Sequence, residues 1–301
     1  MTRIKKIYYR LLYELTGRFP LLFPDSWFLK AFYYLSMKQE LNLSNPVLYS
    51  EKLQWLKLYN RKPEYTPMVD KVKVKDYVAT LIGKQYVIPT LGVYERFKDI
   101  DFDKLPDQFV LKCNHDSGNV IVCKDKTKLD RLNAEKTLTK ALKTDFYLIG
   151  REWPYKNIDR KIMAETFLAT EAEPFYNHLG ITDFKFSCFN GKVNDVMVCL
   201  ERESGDTKFY FFSKEWRLLR YNKRGMAAPE DFTIPKPENF EKMVEIAETL
   251  SKNIPYLRVD LYNLNGKIYF GEMTFFPNNG VDPNLSMETE QLYGNLIYLP
   301  K

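Results

Sequence analysis

The 301 residues can build one large domain or two to three smaller ones, and 45% hydrophobic with 28% charged residues is ordinary for a globular chain. A net charge of +6, spread along the chain without a basic run interleaved with aromatics, argues against a nucleic-acid binder and suits anionic ligands such as nucleotides or acidic sugars. Four single cysteines and only two histidines argue against zinc sites and histidine triads, and suit a reduced, cytosolic protein.

Residues 3–15 read as a helix with Ile4, Ile7, Tyr8, Leu11, Leu12 and Leu15 on one face and Arg3, Lys5, Lys6 and Arg10 beside it. The plainer expectation is a helix packed on its own domain through that stripe; the alternative is a helix lying on an anionic membrane surface. Lys5, Lys6, Arg10 and Glu14 interrupt the apolar residues, so the segment does not read as a signal peptide, and nowhere is an apolar run long enough to span a bilayer. The region to about residue 65 is helical and aromatic-rich, punctuated by Pro20, Pro24, Pro46 and Pro63.

Thr66 as a cap, Pro67 at the first helical position and Gly83 at the end predict one helix bearing Lys71, Lys73 and Lys75. After the acidic turns from Asp99 to Asp107, a strand is expected at Gln108–Lys112. A loop, Asn114–Asn119, leads to a second strand at Val120–Cys123. Residues 129–146 read as helix and Lys161–Leu168 as strand. Strands then follow at Phe184–Phe189, Val193–Leu200 and twice within Phe209–Tyr221. A helix over about 238–252 precedes the last hairpin, Tyr256–Tyr262 with Lys267–Phe275. Strands and helices mixed in this way predict an α+β fold.

That hairpin carries most of the chemistry. Alternation puts Arg258, Asp260 and Tyr262 on one face of the first strand, and Ile268, Phe270, Glu272 and Thr274 on one face of the second. A two-residue turn at Asn265-Gly266 would point Asp260 and Glu272 to opposite faces. A three-residue loop, Leu264-Asn265-Gly266, would set Arg258 opposite Glu272 with Asp260 as its diagonal neighbour, and this loop is the one expected. Two carboxylates among apolar residues call for cations, and magnesium held by one or two carboxylates plus phosphate oxygens fits.

In order along the chain, several segments resemble the ATP-grasp superfamily. Arg258-Val259-Asp260 and Glu272-Met273-Thr274 resemble its closing Arg-x-Asp and Glu-x-Asn, with Thr274 in place of the usual asparagine. The resemblance implies metal ligation by Asp260, Glu272 and Thr274, and phosphate binding by Lys71 and Lys112. It also implies a phosphate-covering loop at Ser117 and Gly118, adenine contacts from Glu165, Phe167 and Leu168, and a ribose contact from Asp183 with Lys185 beside it. More narrowly, SEKLQWLKLYN, VLKCNHDSGN, GREWPYKNI, FKFSCFNGK and RVDLYNLNGKIYFGEMTFFP resemble TupA-like ATP-grasp proteins, associated with teichuronopeptide and other surface polysaccharides. Asp116 departs from the glycine-dense loop of the pattern.

This resemblance implies an ATP-grasp fold with a helical N-terminal region (residues 1–65) and an ATP-grasp domain (66–301), divided into a lid of about 86–167 and a C-terminal subdomain of about 168–301. It implies a Mg-ATP-dependent carboxylate–amine ligase acting through an acylphosphate, with Arg258 and Lys112 as catalytic residues and ATP and Mg2+ as cofactors. The carboxylate would be a uronic acid of a surface polysaccharide or its precursor, and the amine an amino acid. The expected location is cytoplasmic, or, on the membrane reading of the first helix, peripheral to the inner face of the membrane. Two rival readings are a glycosyltransferase using Asp101 and Asp103, and a non-catalytic ATP-binding homologue, which Thr274 and Asp116 would favour.

Overall fold

A computed structural model describes residues 3–168, 182–201 and 207–300. Ten helices and ten strands occur among them: α1 (Arg3–Arg18), α2 (Asp25–Met37), α3 (Tyr49–Tyr59), α4 (Tyr65–Val69), α5 (Val74–Ile82), β1 (Thr90–Tyr94), β2 (Phe109–Cys113), β3 (Val120–Cys123), α6 (Arg131–Lys143), α7 (Phe146–Gly150), β4 (Ile162–Thr166), β5 (Asp183–Phe189), β6 (Lys192–Leu200), β7 (Lys208–Phe212), β8 (Leu218–Leu219), α8 (Lys223–Ala227), α9 (Phe240–Leu250), β9 (Tyr256–Leu264), β10 (Lys267–Thr274) and α10 (Met287–Leu296). The expected strands form to within a residue or two, because β-branched and aromatic runs bounded by Gly, Asn and Pro leave little choice.

The strands make two antiparallel sheets, one ordered β1-β4-β2-β3 and one ordered β10-β9-β5-β6-β7-β8. In the larger sheet, Val259, Leu261, Phe184, Phe186, Val196, Val198 and Phe212 share one face and bury it against Phe240, Met243, Ile246 and Leu250 of α9. The smaller sheet buries Phe109, Leu111, Ile162 and Ala164 against Ala134, Leu138 and Ala141 of α6, with Phe97, Ile100, Phe102 and Leu105 from the acidic turn segment completing that core. Asp101 lies at the exposed rim of that segment, where its side chain accepts the Asp103 N–H and pairs with Lys104.

Three expectations are corrected. The β9–β10 turn has two residues, Asn265 (φ 51°) and Gly266 (φ 78°), closing Leu264 against Lys267. Two consecutive left-handed residues match the right-handed twist of the strands, which the three-residue loop would not need. Asp260 nevertheless faces Glu272, because Phe270 opposes Leu261 and Glu272 opposes Asp260, leaving Gly271 unpaired in a bulge. The extra residue reverses the alternation. Ile268 and Phe270 therefore point into the core, while Glu272 and Thr274 point with Asp260 and Arg258 to the other face.

The helix expected from Thr66 to Gly83 breaks into α4 and α5 at Asp70, whose carboxylate accepts the N–H groups of Val72 and Lys73. An Asp that satisfies the backbone two residues ahead offers it an alternative to the helical bond. Finally, α1 packs on α2 through Tyr9, stacked on Tyr34 at 4.1 Å, and Tyr13, 5.1 Å from Phe28, with Thr16 buried. The aromatic contacts take that side of the helix, and Ile4, Ile7, Tyr8, Leu11 and Leu15 stay exposed. No described helix is long and apolar enough to cross a membrane.

A β-carbon added at Gly271 would lie 3.0 Å from the Asp260 carbonyl oxygen and 3.2 Å from the Tyr262 ring. Gly271→Val is expected to lower unfolding stability in urea by about 1–3 kcal/mol with an unchanged m value, since the clash is with backbone.

Candidate active site

The face of the larger sheet opposite α9 collects the charged residues of its first three strands. β9 presents Arg258 and Asp260, β10 presents Glu272 and Thr274, and β5 presents Asp183 and Lys185, all in adjacent register. Arg258 donates from Nε to Asp260 Oδ1 at 2.7 Å and from Nη2 to Oδ2 at 2.8 Å, a bidentate pair. The same Nη2 lies 3.2 Å from Glu272 Oε1 and 3.2 Å from Thr274 Oγ1. Lys185 donates to Asp260 Oδ2 and pairs with Asp183 at 3.2 Å.

Asp260 is 1% exposed. Burial alone would raise its carboxyl, yet the Arg258 guanidinium and the Lys185 ammonium outweigh that and hold it below the ordinary range. For Lys185 burial acts downward, and Asp260 overcomes it to leave the ammonium raised.

The smaller sheet supplies a second charged group. Glu165, buried on β4, receives Lys75 of α5 at Oε1 (2.6 Å) and Lys112 of β2 at Oε2 (2.6 Å). Burial pushes Glu165 up, and the two ammoniums reverse this and leave it below the ordinary value. Lys71 occupies the break between α4 and α5. Its N–H donates to the Asn114 carbonyl at 2.9 Å and its Nζ donates to the Asp116 carbonyl oxygen.

Asn114 is fixed in turn, donating to Asp70 Oδ1 at 3.0 Å and accepting the Lys161 N–H at 2.8 Å. The broken helix thus clamps Lys71 to the base of the 114–119 loop. Burial lowers Lys71, the Glu272 carboxylate opposes that, and Lys112 adds to it. Ser117 and Gly118 (φ 92°) form the exposed tip of the loop, while Asp116 is buried and accepts Asn119 at 2.7 Å. Phe167 and Leu168 are half-buried just beyond β4, next to the undescribed residues 169–181.

The structure therefore brings Arg258, Asp260, Glu272, Thr274, Asp183 and Lys185 onto one face. Lys71, Lys112, Glu165, Ser117 and Gly118 come from the smaller sheet and its approaches. Among the described residues no three His, Cys, Asp or Glu side chains cluster as a self-sufficient metal site. Magnesium is compatible with this, since it takes one or two carboxylates and completes its shell with waters and phosphates. The donors here are all hard oxygens: the two carboxylates side by side and the Thr274 hydroxyl, which also reaches Glu272 Oε1 at 3.3 Å. The residues fit the ion.

Sequence reasoning missed two features. Lys75 appears in the sequence as one more helix lysine, and only the tertiary structure shows it sharing Glu165 with Lys112. Beyond Arg258 the same sheet face continues into a cleft of about 670 Å³ lined by Tyr49, Met197, Phe209, Phe211, Tyr256 and Tyr293 among others. Alternation within β6 and β7 would have marked Met197, Phe209 and Phe211 as one face, but which face needs the register.

The family model for TupA-like ATPgrasp proteins matches residues 51–298. No curated protein matches the chain. Among solved structures, D-alanine–D-alanine ligase from Bacillus anthracis complexed with ATP is similar at TM-score 0.41 and 17% identity, over 69% of this chain and 54% of that one. D-alanine–D-alanine ligase from Helicobacter pylori gives TM-score 0.44 and 14% identity over 83% and 69%. The ATP-grasp ligase PsnB, complexed with a phosphomimetic precursor variant, Mg and ADP, gives 0.42 and 10% over 82% and 64%. The chain thus spans about half the length of the first of these structures.

Asp260→Asn leaves Arg258 and Lys185 without their shared counter-charge, and a loss of about 3–5 kcal/mol in unfolding stability is expected near neutral pH. The folded carboxyl titrates below its ordinary 3.8, so its stabilisation is complete above 3.8 and disappears as pH falls through the lower folded value. Chemical unfolding across the acid range should therefore show the wild-type advantage over Asp260→Asn shrinking below that point.

Proposed function

The chain belongs to the TupA-like ATP-grasp family, and from that premise we propose that it is a Mg-ATP-dependent carboxylate–amine ligase. Its fold is the ATP-grasp fold, α+β with two antiparallel sheets and a helical N-terminal region. The observation that carries the proposal is the convergence of Arg258, Asp260 and Glu272 on one sheet with Lys71 at the edge of the other. That arrangement suits a triphosphate between the sheets.

In this reading Lys71 and Lys112 position the phosphates, and the backbone N–H groups at Ser117 and Gly118 cover them. The exchange of Lys112 from Glu165 to a phosphate replaces one anion by another and leaves Glu165 paired with Lys75. Phe167 and Leu168 flank the adenine with Glu165, and Asp183 with Lys185 faces the ribose. Asp260, Glu272 and Thr274 hold the magnesium, which when bound neutralises charge on the phosphates.

The γ-phosphoryl group passes to a substrate carboxylate oxygen, breaking the bond to ADP and forming an acylphosphate. An amine then attacks the acyl carbon; the C–N bond forms, inorganic phosphate leaves with the C–O bond electrons, and the amine releases its proton. Arg258, fixed by Asp260, offers donors to the oxygen that gains charge in that step. The carboxylate donor proposed is a uronic acid of a surface polysaccharide or its precursor, joined to an amino acid. The aromatic cleft beyond Arg258 supports this, since Tyr256, Phe209 and Phe211 suit the apolar face of a sugar ring. The exposed, self-capped Asp101 and Asp103 give the glycosyltransferase reading no support.

The test is ADP release with uronates and amino acids in the presence of magnesium. Turnover should fall about 100- to 1,000-fold in Arg258→Lys, which keeps a charge opposite Asp260 but loses the guanidinium fork, with ATP binding kept. Glu272→Gln should lose turnover while the fold persists; full activity in that variant would remove Glu272 from the metal site. ATP binding without turnover on any pair would favour the non-catalytic homologue, and turnover of a UDP-sugar without ATP would favour the transferase.

A further inference from the structure

The N-terminal hairpin exposes an apolar surface that neither the fold nor the proposed chemistry uses. Nine of the 23 exposed large hydrophobic residues among those described fall within residues 4–27: Ile4, Ile7, Tyr8, Leu11, Leu15, Phe19, Leu21, Leu22 and Trp27. Leu21 is 94% exposed, Ile4 79% and Leu22 75%. At about 100° per residue, the five on α1 share a sector of roughly 100°. A cluster this dense marks an interaction site.

The orientation of this surface is fixed. The opposite side of α1 is held by the Tyr9–Tyr34 stack and by buried Arg151, which donates from Nη2 to the Thr16 carbonyl at 3.0 Å. Arg151 also pairs with Asp25 at the start of α2 and lies 4.4 Å from the Phe28 ring centre. Because α1 is already anchored there, it cannot roll its apolar sector inward without breaking the Tyr9–Tyr34 stack and the buried Arg151–Thr16 hydrogen bond.

Charge chooses the occupant. α1 bears Arg3, Lys5, Lys6, Arg10 and Arg18 against the single acid Glu14, which is paired with Arg10. Arg3 and Arg10 are exposed along one flank of the apolar sector, and Arg18 lies at its far end. Asp25, the nearest carboxylate on α2, is already shared by Arg61 and Arg151. Self-association through this face would bring like charges together. An anionic bilayer would meet these basic side chains with headgroups and the Ile, Leu and aromatic side chains with acyl chains.

We propose that α1 and the turn into α2 form a docking surface for an anionic lipid membrane, with Ile7, Leu11, Leu15, Leu21 and Leu22 inserted and Arg3, Arg10 and Arg18 at the headgroups. The helix lies in the interface plane and does not cross it. This surface stands apart from the cleft between the sheets, so the inference does not depend on the ligase reading. Trp27, the one tryptophan with an exposed ring, sits at the edge of the patch against Phe23, where it would report insertion.

The experiment is flotation of the full chain with vesicles of phosphatidylcholine alone and of phosphatidylcholine mixed with phosphatidylglycerol, at low and high salt. Wild type should float with the anionic vesicles, less so at high salt, with a blue shift of Trp27 emission. Leu11→Glu with Leu21→Glu should abolish flotation, whereas Leu132→Glu, on an exposed α6 position, should not. Arg3→Gln with Arg18→Gln should weaken partitioning about 25-fold, from roughly a fivefold loss per charge. Far-ultraviolet circular dichroism and an unchanged thermal transition report an intact fold in each variant, as expected because every substituted side chain is exposed.

No flotation of the wild type, equal flotation with phosphatidylcholine alone, or flotation unchanged by the two glutamates would overturn the proposal. So would a dimer in sedimentation that Leu11→Glu with Leu21→Glu converts to monomer without any vesicle binding.

Discussion

The bidentate pair of Arg258 with Asp260, reinforced by Lys185, is the contact on which the charged half of the larger sheet depends. A buried carboxylate is costly unless it is paired and hydrogen-bonded. Asp260 meets both conditions through two cations, each delivered by strand register from β9 itself or from β5 beside it. The same guanidinium reaches Glu272 and Thr274, so one side chain organises every group proposed to hold the metal. A rigid anchor of this kind suits a site where donors must already be aimed when charge develops.

A comparable economy governs the other sheet. Glu165 draws Lys75 and Lys112 together, and Asp70 with Asn114 fixes Lys71 against the loop that ends in Ser117 and Gly118. Three lysines are therefore held by local acceptors near a position where a triphosphate would add several negative charges. Each holding contact is an anion or a carbonyl that a phosphate oxygen can replace without leaving the ammonium unpaired. The aromatic cleft beyond Arg258 then lies on the continuation of the same sheet face, where an acceptor molecule would stand beside the group proposed to act on it.

The bulge at Gly271 shows how sequence reasoning can reach a correct juxtaposition by a wrong route. Alternation predicted that a two-residue turn would separate Asp260 from Glu272, and the three-residue loop followed from wanting them together. The turn has two residues, and a single unpaired glycine restores the shared face instead. A bulge leaves no periodic mark in a sequence. Gly271 hints at it only because a larger residue would press on the Asp260 carbonyl and the Tyr262 ring. The helix that breaks at Asp70 is a similar case, where a capping carboxylate competed with continued helix and the pattern of Thr66, Pro67 and Gly83 could not register it.

By itself the sequence determined nine of the ten described strands in order, though not β1, and the charged hairpin and the motifs that mark the family. Hydrophobic alternation, turn residues and motif spacings are local, and they survive without knowledge of neighbours. The tertiary structure alone decided which side chains meet: Lys75 with Glu165, Lys71 with the Asp116 carbonyl, the aromatic cleft beyond Arg258. It also decided which side of α1 is buried, because the rings of Tyr34 and Phe28 lie on α2 and claim Tyr9 and Tyr13 ahead of the aliphatic stripe. Those outcomes depend on register and on competition for area between distant segments, and neither quantity is written in any single stretch of the chain.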